Sequence, residues 1–142
     1  MFLRQSSTFT DRIGPFLDAT DGVTEEVGLT TAASAIFLSP AGGNFVAKNE
    51  STALSHDQDG WYVILYDATD TATVGKLEVM VQAPATHLPV WKTYWVLEEN
   101  VYDMIYVAGA DLGTTIDAIL TDTGTTLDNA VSDVHSRLVV ID

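Results

Sequence analysis

An antiparallel β-sandwich, Ig-like or jelly-roll-like, followed by a C-terminal helical, coiled-coil-like segment, is the fold class that three observations predict. Seven or so short runs of β-forming residues are separated by turn signals, as in sandwiches and small barrels. After Leu97 the apolar spacing changes from the two-residue period of strands to the three-and-four spacing of helices. The charge shifts at the same place. Glu98 to Asp142 holds nine acidic residues against one arginine, a balance of −8, while Met1 to Leu97 holds eleven acidic and five basic residues, a balance of −6. The sequence therefore divides into a sandwich domain, 1–97, and a hinge with an acidic helical oligomerisation tail, 98–142.

In chain order, Met1 to Arg12 reads as an N-terminal strand or extended arm, in which Thr8, Phe9 and Thr10 lead to Ile13 before Gly14-Pro15 interrupts. Phe16 and Leu17 resume apolar character, and the turn formers from Asp18 to Gly22 end that segment. Val23 to Leu29 reads as a short extended piece and Ser34 to Ser39 as a stronger strand. Pro40 to Gly43 supplies a tight turn, after which Asn44 to Ala47 can run back antiparallel. Glu50 to Asp57 predicts another short strand.

Asp57 to Gln82 predicts the central hairpin. Its first strand, Gly60 to Tyr66, follows the Asp59-Gly60 turn signal and is too short and too apolar for a typical helix. Its second, Lys76 to Gln82, places Leu77, Val79 and Val81 on the core side of the pleat and Glu78, Met80 and Gln82 on the other. The Asp-, Thr- and Ala-rich residues from Asp67 to Gly75 predict the connecting loop. Gln82 to Pro89, with two prolines, predicts another loop. Val90 to Leu97 is the last strand, with Val90, Lys92, Tyr94 and Val96 on one face and Trp91, Thr93, Trp95 and Leu97 on the other. Large side chains on both faces predict cover on both, by the core and by a neighbour.

In the tail, Asn100 is a candidate cap for a helix to Val107, and Gly109 and Gly113 punctuate the stretch after it. Ile116, Leu120, Thr123 and Leu127 are spaced four, three and four. Val131, Val134, Leu138 and Ile141 continue from Leu127 at four, three, four and three. That spacing is a coiled-coil seam, weakened by Gly124 and its threonine neighbours, and it predicts a parallel oligomer with Leu120, Leu127, Val131, Val134, Leu138 and Ile141 at the interface.

Composition excludes several functions. The 142 residues carry a net charge of −14 with six scattered basic side chains, which argues against direct nucleic-acid binding. There is no cysteine, hence no disulfide or thiolate metal site. No run approaches the length needed to span a membrane and no cleaved leader is apparent, so synthesis in the cytoplasm without membrane contact is expected. His56, His87 and His135 lie in separate segments, no serine or threonine sits in a nucleophile-elbow motif, and no acidic pair is placed for acid–base work. No enzyme activity, cofactor or metal is expected.

The segments IGPFLDATDG (13–22), DQDGWYVILYDATDTATVGKLEVMVQ (57–82) and PVWKTYWVLEENVYD (89–103) together resemble a group of small tailed-bacteriophage virion proteins. In these a β-sandwich passes through an NVYD hinge into an acidic helical or fibrous segment, a plan similar to the N-terminal attachment domains of phage baseplate and fibre proteins. The resemblance covers about Ile13 to Asp103. It implies a structural role in the virion, as a head decoration, fibre, neck or tail appendage protein made in the host cytoplasm. The implied partners are the chain itself, as a homotrimer, and other virion proteins of the capsid, neck or tail.

Two groups of side chains have alternative readings. Asp57, Asp59, Asp67 and Asp70 either gather around a Ca²⁺ ion or serve turn chemistry. Trp61, Trp91 and Trp95 either form a stacking platform for a glycan, as in a carbohydrate-binding module, or belong to core or subunit interface. Solvent-facing coplanar rings would favour the sugar.

Overall fold

The computed structural model describes residues 1–30, 35–107 and 112–139, with side chains of the last helix described for 119–136. It divides into two compact units, Met1–Tyr102 and Asp103–Asp142.

The first unit is mainly β, with eight strands among the described residues. Strands β1 (Phe2–Arg4), β3 (Ile36–Pro40), β4 (Val46–Ala47), β7 (Gly75–Ala83) and β8 (His87–Leu97) form a five-stranded sheet in the order β1-β8-β7-β3-β4. Strands β2 (Phe9–Ile13), β5 (Ser55–Gln58) and β6 (Trp61–Tyr66) form a three-stranded sheet in the order β2-β6-β5. All pairings are antiparallel except β1 with β8, where Phe2 lies opposite Trp95 and Arg4 opposite Leu97.

Alternation decides which side chains are buried. Leu77, Val79 and Val81 of β7 are at most 1% exposed, as the pleat predicts, and Tyr62, Ile64 and Tyr66 of β6 are equally enclosed. With Ile13, Ile36, Leu38, Tyr94 and Val96 they form one cluster drawn from both sheets. Ring edges interlock within it. Phe9 and Tyr66 each meet Tyr94 edge-on, with centroids 5.9 and 5.6 Å apart, a favoured aromatic arrangement.

The expected hairpin between Gly60–Tyr66 and Lys76–Gln82 does not form, because β6 and β7 belong to different sheets. Both strands alternate toward the same core, but from two sheets, so residues 67–74 carry the chain between sheets. Instead β6 forms a hairpin with β5, and β7 forms one with β8. Asp59 and Gly60 both take positive φ, 47° and 73°, as a two-residue turn matched to strand twist requires.

Four further expectations are corrected. The N-terminal arm is two strands, β1 and β2, one in each sheet, because the chain turns at Ser6, where φ is 52°. Val23 to Leu29 forms no strand, only an isolated bridge from Glu25 to Leu17. Asp21 holds the turn before it by accepting the Val23 and Thr24 amides, and Thr24 Oγ1 leads the hydrogen bonds that lower its pKa to about 2. Strand β8 starts at His87, which bridges Asp18 on its outer edge, and runs through Pro89, where pairing with β7 is interrupted by a register shift, so the missing amide is tolerated. The carbonyl of Glu98, not Asn100, accepts the first bond of α1 (Glu99–Tyr106), from the Tyr102 amide.

Helix α2 (Leu112–Val139) runs unbroken through Gly113 and Gly124. Thr125 and Ser136 return their hydroxyl protons to the carbonyls of Thr121 and Ser132, one turn back. The start of the predicted strand at Ser34, Gly109, the side chains of Ile116 and Leu138, and Ile141 lie outside the described residues.

Candidate interaction surface

The five-stranded sheet buries one face and leaves part of the other exposed. On β8 the core side carries Tyr94 and Val96, both at most 1% exposed, while Trp91 and Trp95 are 59% and 50% exposed. The predicted facing of β8 is therefore seen, and among the described residues of the β unit its second face is only partly covered, by Phe45 beside Trp91.

Cross-strand register assembles neighbours around each indole. Trp91 lies opposite Met80, Met80 opposite Phe37, and Phe37 opposite Ala47, making one apolar row across four strands. Phe45, in the loop before β4, sets its ring edge-on to Trp91 at 6.0 Å. Trp95 lies between Phe2 and Lys76. The row between the two indoles is polar: Thr93 faces Glu78, which is paired to Lys76 at 2.7 Å. The surface thus has two aromatic ridges flanking one neutral ion pair. Exposed indoles beside one ion pair are suited to packing and stacking.

Sequence reasoning singled out Trp91 and Trp95 and missed Phe2, Phe37, Phe45 and Met80. The signal for Met80 was its outward position opposite Leu77, Val79 and Val81 on the pleat. Phe2 had none, because it reaches Trp95 through pairing of strands more than ninety positions apart.

Trp61 stands apart, on the outer face of the three-stranded sheet, 39% exposed. It lines a shallow depression of about 430 Å³ with Arg12, Asp57, Gln58 and Asp59, in which Arg12 Nε bonds Asp57 Oδ2 at 2.5 Å. Gly14 lies close above the Trp61 backbone, where a Cβ would come within 3.1 Å of its Cα. The three tryptophans therefore occupy two different sheets and do not make one platform.

The four aspartates separate in the same way. Asp57 and Asp59 sit at one end of β6, and Asp67 and Asp70 beyond the other, about 20 Å away for six residues of strand. Asp70, nearly buried, accepts the amides of Asn49 at 2.7 Å and of Glu50 and Asp67 at 3.2 Å. Asp67 accepts the amides of Thr69 and Asp70 and the Asn49 side chain; the Asp70 amide leads in holding its pKa below the ordinary value. These carboxylates are turn locks, their oxygens already engaged. Among the described residues no three acidic, histidine or cysteine side chains gather as a metal site would need. Beside them Lys48 Nζ, fully enclosed, donates to Glu50 Oε2, Glu50 O and Leu65 O. Burial works against the charge of Glu50, but Lys48 and Thr52 outweigh it and hold its pKa to about 2.

The histidines stay scattered: His56 on β5, His135 on α2, and His87 buried at the start of β8 with its ring edge-on to Phe16. On α2, Leu120, Leu127, Val131 and Val134 are all exposed, at 59–68%, with Ile119 beside them. No described helix is long and apolar enough to cross a membrane. Comparison with protein-family models, with curated proteins and with solved structures finds no match to this chain.

Proposed function

We propose that this chain is a structural protein of a bacteriophage virion, a head decoration, fibre, neck or tail appendage, that acts by symmetric self-assembly. In this reading the two sheets pack face to face as a β-sandwich, and α2 joins two counterparts in a parallel, coiled-coil-like bundle to give a homotrimer attached to other virion proteins. The observation that carries it is α2 itself. A 28-residue helix, about 42 Å long, presents Leu120, Leu127, Val131 and Val134 at coiled-coil spacing with every one exposed. One helix cannot bury such a seam, so it calls for copies of itself. The virion assignment draws on the resemblance of 13–103 to phage structural proteins.

Light scattering on the full chain tests the assembly: a trimer is expected, and removal of the residues after Gly113 should weaken it while the β unit stays folded. A full-length monomer at virion-like salt would overturn the reading. A reconstruction of the particle whose genome encodes the chain, with or without density for it, tests the virion placement.

A second reading, a carbohydrate-binding module contacting host glycans, is favoured by the exposure of Trp61, Trp91 and Trp95. Trp61, with Arg12 and Asp57 beside it, has the ring and hydrogen-bonding groups that a pyranose uses. Titration of neutral oligosaccharides against tryptophan emission separates the two.

A further inference from the structure

We infer that the outer face of the five-stranded sheet is where the β units of neighbouring copies meet, each turning Trp91 and Trp95 toward a common axis so that the face is covered by its own counterparts. The inference rests on the proposed self-assembly and names the surface on the β unit through which it would act.

Charge selects this face. The chain carries 20 acidic and six basic residues, so most approaches between copies bring carboxylates together. Here the charged side chains between the ridges, Lys76 and Glu78, cancel within one ion pair. Identical copies can close on it without like-charge repulsion.

Area sets its strength. Phe2, Phe45, Trp91 and Trp95 are 41–59% exposed, which at about 150–250 Å² per aromatic side chain leaves about 300–500 Å² per copy. That matches the largest apolar patch a monomer usually shows, and falls short of the roughly 800 Å² per partner of a stable standard interface. The face therefore suffices only when a second element holds the copies together, as a bundle of α2 helices would by raising effective concentration.

Edge geometry disfavours strand addition at the two ends of this sheet. The sheet ends in β1, three residues, and β4, two residues, too short to recruit a neighbouring strand. The aromatic content, rigid and large, is what interface centres use.

The absence of cysteine allows a direct test on the full chain. Thr93 lies between the two indoles, and Thr93→Cys should form disulfide-linked pairs under mild oxidation, whereas Thr10→Cys, on the three-stranded sheet, should not. Trp91→Glu with Trp95→Glu should weaken association about tenfold or more, and Trp61→Glu should leave it unchanged. A wild-type oligomer whose Thr93→Cys form does not cross-link, or whose double variant associates normally, overturns this inference and leaves the self-assembly reading intact. A wild-type monomer overturns both. Emission from Trp91 and Trp95 that shifts with a neutral oligosaccharide and not with protein concentration assigns the face to a glycan and overturns the inference.

Discussion

Tyr94 of β8 donates a 2.9 Å hydrogen bond from its hydroxyl to Oδ2 of Asp11 on β2, and so ties the two sheets together through one carboxylate. Lys92 reaches the same oxygen at 2.6 Å and the Arg12 carbonyl at 2.5 Å. Burial works to raise the Asp11 pKa, but Lys92, the Arg12 amide and Tyr94 outweigh it and leave it below 3.8. The Tyr94 phenol moves the other way, raised by burial first and by Tyr66 and Asp11 after it. Asp11→Ala should cost about 1–3 kcal/mol, since it orphans a buried hydroxyl. Urea unfolding of the variant measures it.

The same shift fixes a pH dependence. A carboxylate with a depressed folded pKa contributes stability that is whole above its unfolded pKa, here 3.8, and is lost as pH falls through the folded value. Asp11→Asn removes that share while keeping an acceptor for Tyr94. The difference in urea midpoint between wild type and Asp11→Asn should be largest near neutrality and shrink as the pH drops below 3.8. A difference that stays constant into acid would show that Asp11 is not held ionised by the fold.

Val79, fully buried between Leu38 and Lys92 positions on the sheet, tests the register of β7. Val79→Asp would bury a carboxylate without a partner, at a cost of several kcal/mol against a total stability of about 5–15. Little soluble folded protein is expected, and circular dichroism of any recovered material is the check.

How much of the fold was legible in the sequence depends on what alternation encodes. It encodes which face of a strand is buried, so Leu77, Val79 and Val81 on β7 and the two faces of β8 were readable. It does not encode which strand lies alongside. The eight residues 67–74 suit a long hairpin loop as well as a passage between sheets, and only the neighbours that β2 and β5 offer β6 decide it. The same limit hid the aromatic face: Trp91 and Trp95 stand out in sequence, but Phe2 and Phe37 join them through pairing at long range and Phe45 through a ring contact. Acidic residues in a loop are ambiguous for another reason, because a carboxylate that locks a turn and one that binds a cation have the same composition. The distance along β6 separates them here.

That separation predicts the response to chelation. Asp70 is occupied by three backbone amides, so a chelator should leave the melting temperature unchanged, whereas Asp70→Ala should lower stability by about 1–3 kcal/mol by stranding those amides. A fall in melting temperature with chelator would revive a cation at these loops.

Salt should act on α2 in the sense opposite to its action on a bundle held by ion pairs. Asp122, Asp128 and Asp133 flank the apolar seam, and Arg137 is the helix's single arginine or lysine. Parallel helices would therefore set carboxylates against carboxylates with few compensating salt bridges. Repulsion between them reaches about 30 Å at 0.01 M salt and only about 8 Å at physiological ionic strength, so added salt removes it while leaving the apolar seam intact. Association of the full chain should strengthen as sodium chloride rises from the millimolar range to physiological levels. Sedimentation equilibrium across that series reads the change directly, and association that weakens with salt would mean that ion pairs, not the seam, hold the copies together.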